Sequence, residues 1–234
     1  MVRFWVGVSG FGYTSWIGTF YPPYAKSDTL LQHYSERLNS VEINSTFYQM
    51  PNEGTIRKWA DVCAGNFRFS FKANRRITHI KKLRNVAADT AFFADALKSL
   101  QNKLGPLLVQ LPPFLRFERG LLDVFLSEKP GSISVVLEPR HASWFNEEIY
   151  DLLERYDVAL CVADTAEMKP VFRRTANFAY ARLRQDNYSR TDLEEWADKL
   201  ANFAPDGTDC YAFFKHDKNG RAASMAVEFA RLLA

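Results

Sequence analysis

Short apolar runs recur along the chain, each followed by turn residues. They run from Trp5 to Ser9, Ser40 to Asn44, Phe67 to Lys72, Leu107 to Leu111, Ile133 to Glu138, Val158 to Asp164, Phe178 to Leu183 and Tyr211 to Phe214. Runs of this kind, recurring at roughly 20 to 40 residues, predict parallel strands returned by helical crossovers. Helical stripes lie between them: Leu30, Leu31, Tyr34 and Leu38; Ile56, Trp59, Ala60 and Cys63; Phe93, Leu97, Leu100 and Leu104, with Gly105 as the expected stop. Asn146 reads as the N-cap of a stripe through Ile149, Leu152, Leu153 and Tyr156, and Thr191 to Glu194 as a capping box ahead of Leu193, Trp196, Ala197 and Leu200. Two crossovers read as weaker: residues 118–127 are few, and Pro170 interrupts 165–176. An open doubly wound sheet would alternate in the same way. Eight units in one uninterrupted chain instead predict a TIM-like (βα)8 barrel of parallel strands with irregular βα loops, a single domain over residues 1–234.

Alternation along each strand then sorts the polar residues, since neighbours point to opposite faces. Val41 and Ile43 suit the helix side and leave Glu42 and Asn44 inward; the phenylalanines at 67, 69 and 71 leave Ser70 and Lys72 inward. By the same reading Gln110, Glu138, Asp164 and Arg182 join an inward layer at the C-terminal strand ends. Polar groups inside a barrel are tolerated mainly in that top layer, where barrel proteins place their chemistry. Two readings stay open: a ligand site, or carboxylates that face Lys72, Arg140, Arg182 and Arg184 and neutralise them.

Composition narrows the setting. Apolar residues at 47% supply a large core, and a charged fraction of 24% is that of an ordinary globular chain, which excludes disorder. The net charge of +3 demands no polyanionic partner. Cys63, Cys161 and Cys210 are odd in number and far apart, which suggests neither a disulfide framework nor a thiolate metal site. The start of the chain carries no basic segment followed by a long apolar one, and no apolar stretch approaches membrane-spanning length, so the expected setting is cytoplasmic, with no membrane partner.

Several motifs together carry a resemblance. They are Gly7-Val-Ser-Gly10 with Tyr13, Trp16, Gly18 and Phe20-Tyr-Pro22; Glu42-Ile-Asn44-Ser-Thr46-Phe-Tyr48 with Pro51; and Phe69-Ser-Phe-Lys72 leading to Ile77-Thr-His79. Gln110-Leu-Pro-Pro113 with Phe114 and Glu138-Pro-Arg-His141 with Ser143-Trp144 complete the set. Over nearly its whole length the sequence resembles the YecE-like family, also called domain of unknown function 72. The resemblance implies a TIM-like barrel with a cavity at the C-terminal face, and brings no established reaction. The chain departs from the family pattern at Phe11, where Trp is usual, at Arg182-Leu-Arg184-Gln, where Arg-Leu-His-Gly is usual, and at Phe214-Lys-His216-Asp217, where Phe-Asn-Asn is usual. Two neutral groups have become cationic.

Glu42, Glu138, Asp164 and His141 are the candidate catalytic groups; two carboxylates in an aromatic mouth are the minimum for acid–base work. The candidate ligand-binding set is Tyr13, Trp16, Asn44, Tyr48, Lys72, His79, Gln110, Arg140, Trp144, Arg182, Arg184, Lys215 and His216. Donors such as Glu42, Glu138, Asp164, His141, His216 and Asp217 have no diagnostic metal spacing, and no metal is assigned. Gly7, Gly10 and Gly12 fit neither a dinucleotide nor a P-loop fingerprint, so the cofactor is unknown. The loop after the third strand carries Lys72, Arg75, Arg76, Lys81, Lys82 and Arg84 before the first acid, Asp89. It reads as an anion clamp or as a solvated basic loop. With the nearby rings it points to a phosphorylated or nucleotide-like small molecule, handled by a hydrolase or lyase, or to a non-catalytic binder of single-stranded nucleic acid.

Overall fold

The structure, a computed structural model, describes residues 1–204 and 206–233; Pro205 and Ala234 of the expected domain lie outside the described residues. The strands are β1 (Arg3–Val8), β2 (Ser40–Ile43), β3 (Arg68–Lys72), β4 (Leu104–Gln110), β5 (Val135–Glu138), β6 (Val158–Leu160), β7 (Val162–Asp164), β8 (Ala179–Leu183) and β9 (Asp209–Phe214). The helices are α1 (Leu30–Ser35), α2 (Glu53–Val62), α3 (Ala87–Ala96), α4 (Arg119–Ser127), α5 (Glu147–Arg155), α6 (Arg190–Phe203) and α7 (Arg221–Leu232). Every strand pair is parallel, in two sheets ordered β2-β3-β4-β5-β6 and β1-β9-β8-β7. This is a TIM-like α/β fold.

Two seams join the sheets. The sixth expected strand is one run of chain broken at Cys161: its first half pairs with β5, its second with β8, and the Cys161 N–H still donates to Leu137 at 2.9 Å. At the other seam a single bridge links Ser9 to Glu42. Side chains replace the missing ladder there. Asn39 accepts from Val6 N–H at 2.8 Å and donates to Phe4 C=O at 2.8 Å, while the Tyr34 hydroxyl accepts from Val8 N–H and donates to Ser40 C=O. Gly7 makes this approach possible, because a Cβ there would lie 2.0 Å from the Ser40 oxygen.

Apolar residues form two layers. The larger packs the helices onto the sheets; a smaller inner cluster contains Trp5, Leu108, Val136, Ala159, Cys161, Phe178, Tyr180, Tyr211 and Phe213. Alternation explains most of this division, and it corrects one expectation. Leu160 and Val162 belong to the outer layer, and Asp164 shares their parity, so it points away from the inner layer that Ala159, Cys161 and Ala163 occupy.

Other boundaries shift for local reasons. Gly105 does not end a helix: α3 stops at Ala96, a 3-10 turn follows over Lys98–Lys103, and β4 begins at Leu104. Pro106, which cannot donate to a ladder, is accommodated where the β3–β4 register shifts between Phe69 and Phe71. The box that opens α6 is Ser189 with Asp192, rather than Thr191 with Glu194. Asn146 caps α5 as expected, α4 is a full nine-residue helix, and residues 165–176 are irregular.

Candidate functional site

The C-terminal strand ends converge on Arg182, which is 2% exposed. Its Nη2 donates to Glu42 Oε1 at 2.8 Å and its Nη1 to Glu138 Oε2 at 2.5 Å, with Gln110 Oε1 at 3.4 Å. Strand β8 thus reaches β2, β4 and β5 through one guanidinium, whose planar fork suits two carboxylates. Both glutamates are 0% exposed. Glu42 also accepts from Ser9 Oγ at 2.7 Å, Asn44 Nδ2 at 3.1 Å and the Tyr180 hydroxyl at 2.8 Å. Burial alone would push its carboxyl up, but Arg182, Arg184 and these donors outweigh it and hold the group down at about 2. Glu138 carries a second cation, Arg140, on its other oxygen.

Two more cations border this network with no carboxylate within ion-pair distance among the described residues. Lys72 ends β3 with its ammonium 4.4 Å from the centre of the Phe47 ring. Burial, then Arg182 and Arg184, lower it to about 8 despite Glu42 and Glu138. Arg184 donates to Ser9 Oγ at 3.0 Å; burial, then Arg182, lower it to about 10. Two histidines feel the same field. His79 is lowered by burial and Lys72, and His216 by burial, Arg184 and Lys215.

Rings border the cations. Tyr13 and His216 stack at 5.1 Å, and the Tyr13 hydroxyl donates to Ser9 C=O. Phe47 meets Tyr48 at 5.0 Å and His79 at 4.9 Å, and Tyr48 is 72% exposed. Gly10, Phe11, Gly12, Tyr13, Ile43, Asn44, Ser45 and Trp59 line a groove of about 240 Å³ beside them. A larger one, about 460 Å³, lies at the opposite strand ends around Arg3, Gly105, Ser134, Phe178 and Asp209.

The remaining candidates sit elsewhere. Trp16 and Trp144 are fully buried, their indole N–H groups donating to the carbonyls of Asp217 and Leu115, so they brace loops. His141 caps a short turn by accepting from Ser143 N–H at 3.1 Å. Asp164, outside the inner layer, accepts from Tyr188 at 2.5 Å and Gln185 at 3.1 Å. Lys215 pairs with Asp186 at the exposed rim. In the basic loop Arg76 and Lys81 share Asp89, and Arg84 pairs with Glu118. Among the described residues no three His, Cys, Asp or Glu side chains group as metal ligands, and no helix is long and apolar enough to cross a membrane. Ser9 and Tyr180, which complete the shell of Glu42, are not among the candidate site residues; Tyr180 shares the inward parity of Arg182 on its own strand.

A parallel TIM-like frame with its polar layer at the C-terminal strand ends defines the class of protein. The chain belongs to the DUF72 family: the model for "Protein of unknown function DUF72" matches residues 5–234. It is 31% identical over 118 residues to UPF0759 protein YecE of Escherichia coli, a match covering 50% of this chain and 43% of YecE. It is 23% identical to UPF0759 protein YunF of Bacillus subtilis over 98% of this chain and 94% of that one. Among solved structures, a DUF72 family protein from Thermotoga maritima superposes with a TM-score of 0.85 at 24% identity, covering 99% of each chain. D-Psicose 3-epimerase from Clostridium cellulolyticum reaches 0.53 at 11% identity, over 99% of this chain and 96% of that one, a likeness of fold.

Proposed function

We propose that the strand-end layer holds a phosphorylated or nucleotide-like anionic small molecule. One observation carries this reading: Glu42 and Glu138 face four cations, Arg140, Arg182, Lys72 and Arg184, and the last two are held below their ordinary pKa by burial and by Arg182. Both carboxylates are already ion-paired with guanidinium groups, so surplus positive charge stays in a partly desolvated place, where an anion relieves it. Calorimetric titration with inorganic phosphate and a nucleoside monophosphate tests it. Wild type binds, and Lys72→Met and Arg184→Met each weaken binding about tenfold, the loss of one charge-assisted contact; equal affinity in all three proteins overturns the reading.

As an enzyme this protein is a hydrolase or lyase, with Glu42 and Glu138, the two carboxylates at the centre of the layer, as its acid–base candidates. Full turnover by Glu138→Gln in a screen of phosphoesters and sugar phosphates, with and without divalent metals, removes Glu138 from that role. The alternative, a non-catalytic binder of single-stranded nucleic acid, is favoured by the exposed Tyr48 and Phe114, the latter under Lys82 at 5.3 Å. The local pairing of Arg76, Lys81 and Arg84 weighs against it. Absence of oligonucleotide binding at low salt eliminates it.

A further inference from the structure

Lys72 is placed differently from a lysine kept only for its charge. It points into the strand-end layer from β3, yet the carboxylates of that layer are taken: Glu42 by Arg182, Ser9, Asn44 and Tyr180, and Glu138 by Arg182 and Arg140. Its amine lies over the Phe47 ring, and burial beside the guanidinium of Arg182 favours the neutral form. The groups facing it are the anions Glu42 and Glu138, the cations Arg182 and Arg184, and, after its own strand, His79. Arg184, which keeps its charge to higher pH, remains as a permanent anion holder when Lys72 loses its proton.

We infer that Lys72 is an imine-forming amine, acting on a phosphorylated aldehyde or ketone whose phosphate is held by the neighbouring guanidinium groups. The inference rests on the reading of this layer as a site for a phosphorylated ligand. The neutral Nζ attacks the carbonyl carbon, forming a C–N bond while the carbonyl oxygen takes up a proton. The resulting carbinolamine loses its hydroxyl as water, and the nitrogen gives up its remaining excess proton, leaving C=N. Amine and carbonyl compound thus give imine and one water, with no oxidant or reductant. An amine titrating near 8 is neutral in about one molecule in ten at pH 7, against about three in ten thousand for an ordinary lysine.

The test incubates the full chain with glyceraldehyde 3-phosphate, reduces with sodium cyanoborohydride and maps the adduct by peptide mass spectrometry. Labelling of Lys72 is expected to outrun that of the exposed Lys26 at least about tenfold at pH 7, well inside the roughly 300-fold ratio of neutral fractions between an amine titrating near 8 and an ordinary lysine. The advantage shrinks as pH rises past about 8, where further deprotonation of Lys72 adds little. Lys72→Arg removes the amine that forms the imine, so it loses the label at this position. Labelling of Lys72 no faster than Lys26 overturns the inference, and phosphate binding measured on the same sample shows whether the anion site stands without it. Equal labelling by unphosphorylated glyceraldehyde upholds the imine and removes the phosphate.

Discussion

Arg182 is a buried cation whose cost is offset by two buried carboxylates, and that arrangement sets what each substitution does. Removing one partner leaves charge uncompensated in the interior, so Glu42→Gln is expected to destabilise the fold by about 3–5 kcal/mol at pH 7. The pH dependence follows from Glu42 being held at about 2, against 4.5 unperturbed. A lowered carboxyl contributes stability that is complete above its unfolded value and lost as pH falls towards the folded one. Thermal unfolding should therefore show the gap between wild type and Glu42→Gln narrowing between pH 4.5 and pH 2; a constant gap would mean that Glu42 is not held ionised. Much of this network was legible in the sequence, because the apolar residues flanking Glu42, Glu138 and Arg182 leave one face free for each. Asp164 was not. Its strand is apolar on both faces, with Ala159, Cys161 and Ala163 inside and Leu160 and Val162 outside, so hydrophobicity could not say which face the acid joined. The burial of Trp16 and Trp144 was equally hidden, since their partners are backbone carbonyls of distant loops.

At the level of elements, the seam between β1 and β2 depends on side chains where the ladder is missing. Asn39→Ala removes one donor and one acceptor from the backbone of β1 and should cost about 2 kcal/mol by denaturant unfolding. Gly7→Ala should cost more, because the Ser40 oxygen stands where its Cβ must go. Neither contact can be read from a strand pattern; both are set by how closely two strands approach. The start of α6 offers a sharper contrast. Ser189→Ala should cost about 1 kcal/mol, and Thr191→Ala a small fraction of that, since the box sits two residues before the one the motif suggested. Both tetrads fit a capping pattern, and only the backbone decides between them. The break at Cys161 was invisible for a similar reason: the apolar run is continuous, and the change of pairing partner is a property of the sheets.

For the molecule as a whole, the parallel topology explains why residues as far apart in sequence as Ser9, Glu42, Lys72, Glu138, Arg182 and Arg184 meet at one end. A stretch of shared strand direction brings every C-terminal end to the same side, and an excess of cations collects there. That excess is the central claim, and a crystal structure of the protein grown in phosphate tests it most directly. The account predicts an anion within hydrogen-bond distance of Lys72 Nζ or the Arg184 guanidinium. Phosphate ordered only on the outer basic loop, with none at the strand ends, would contradict it.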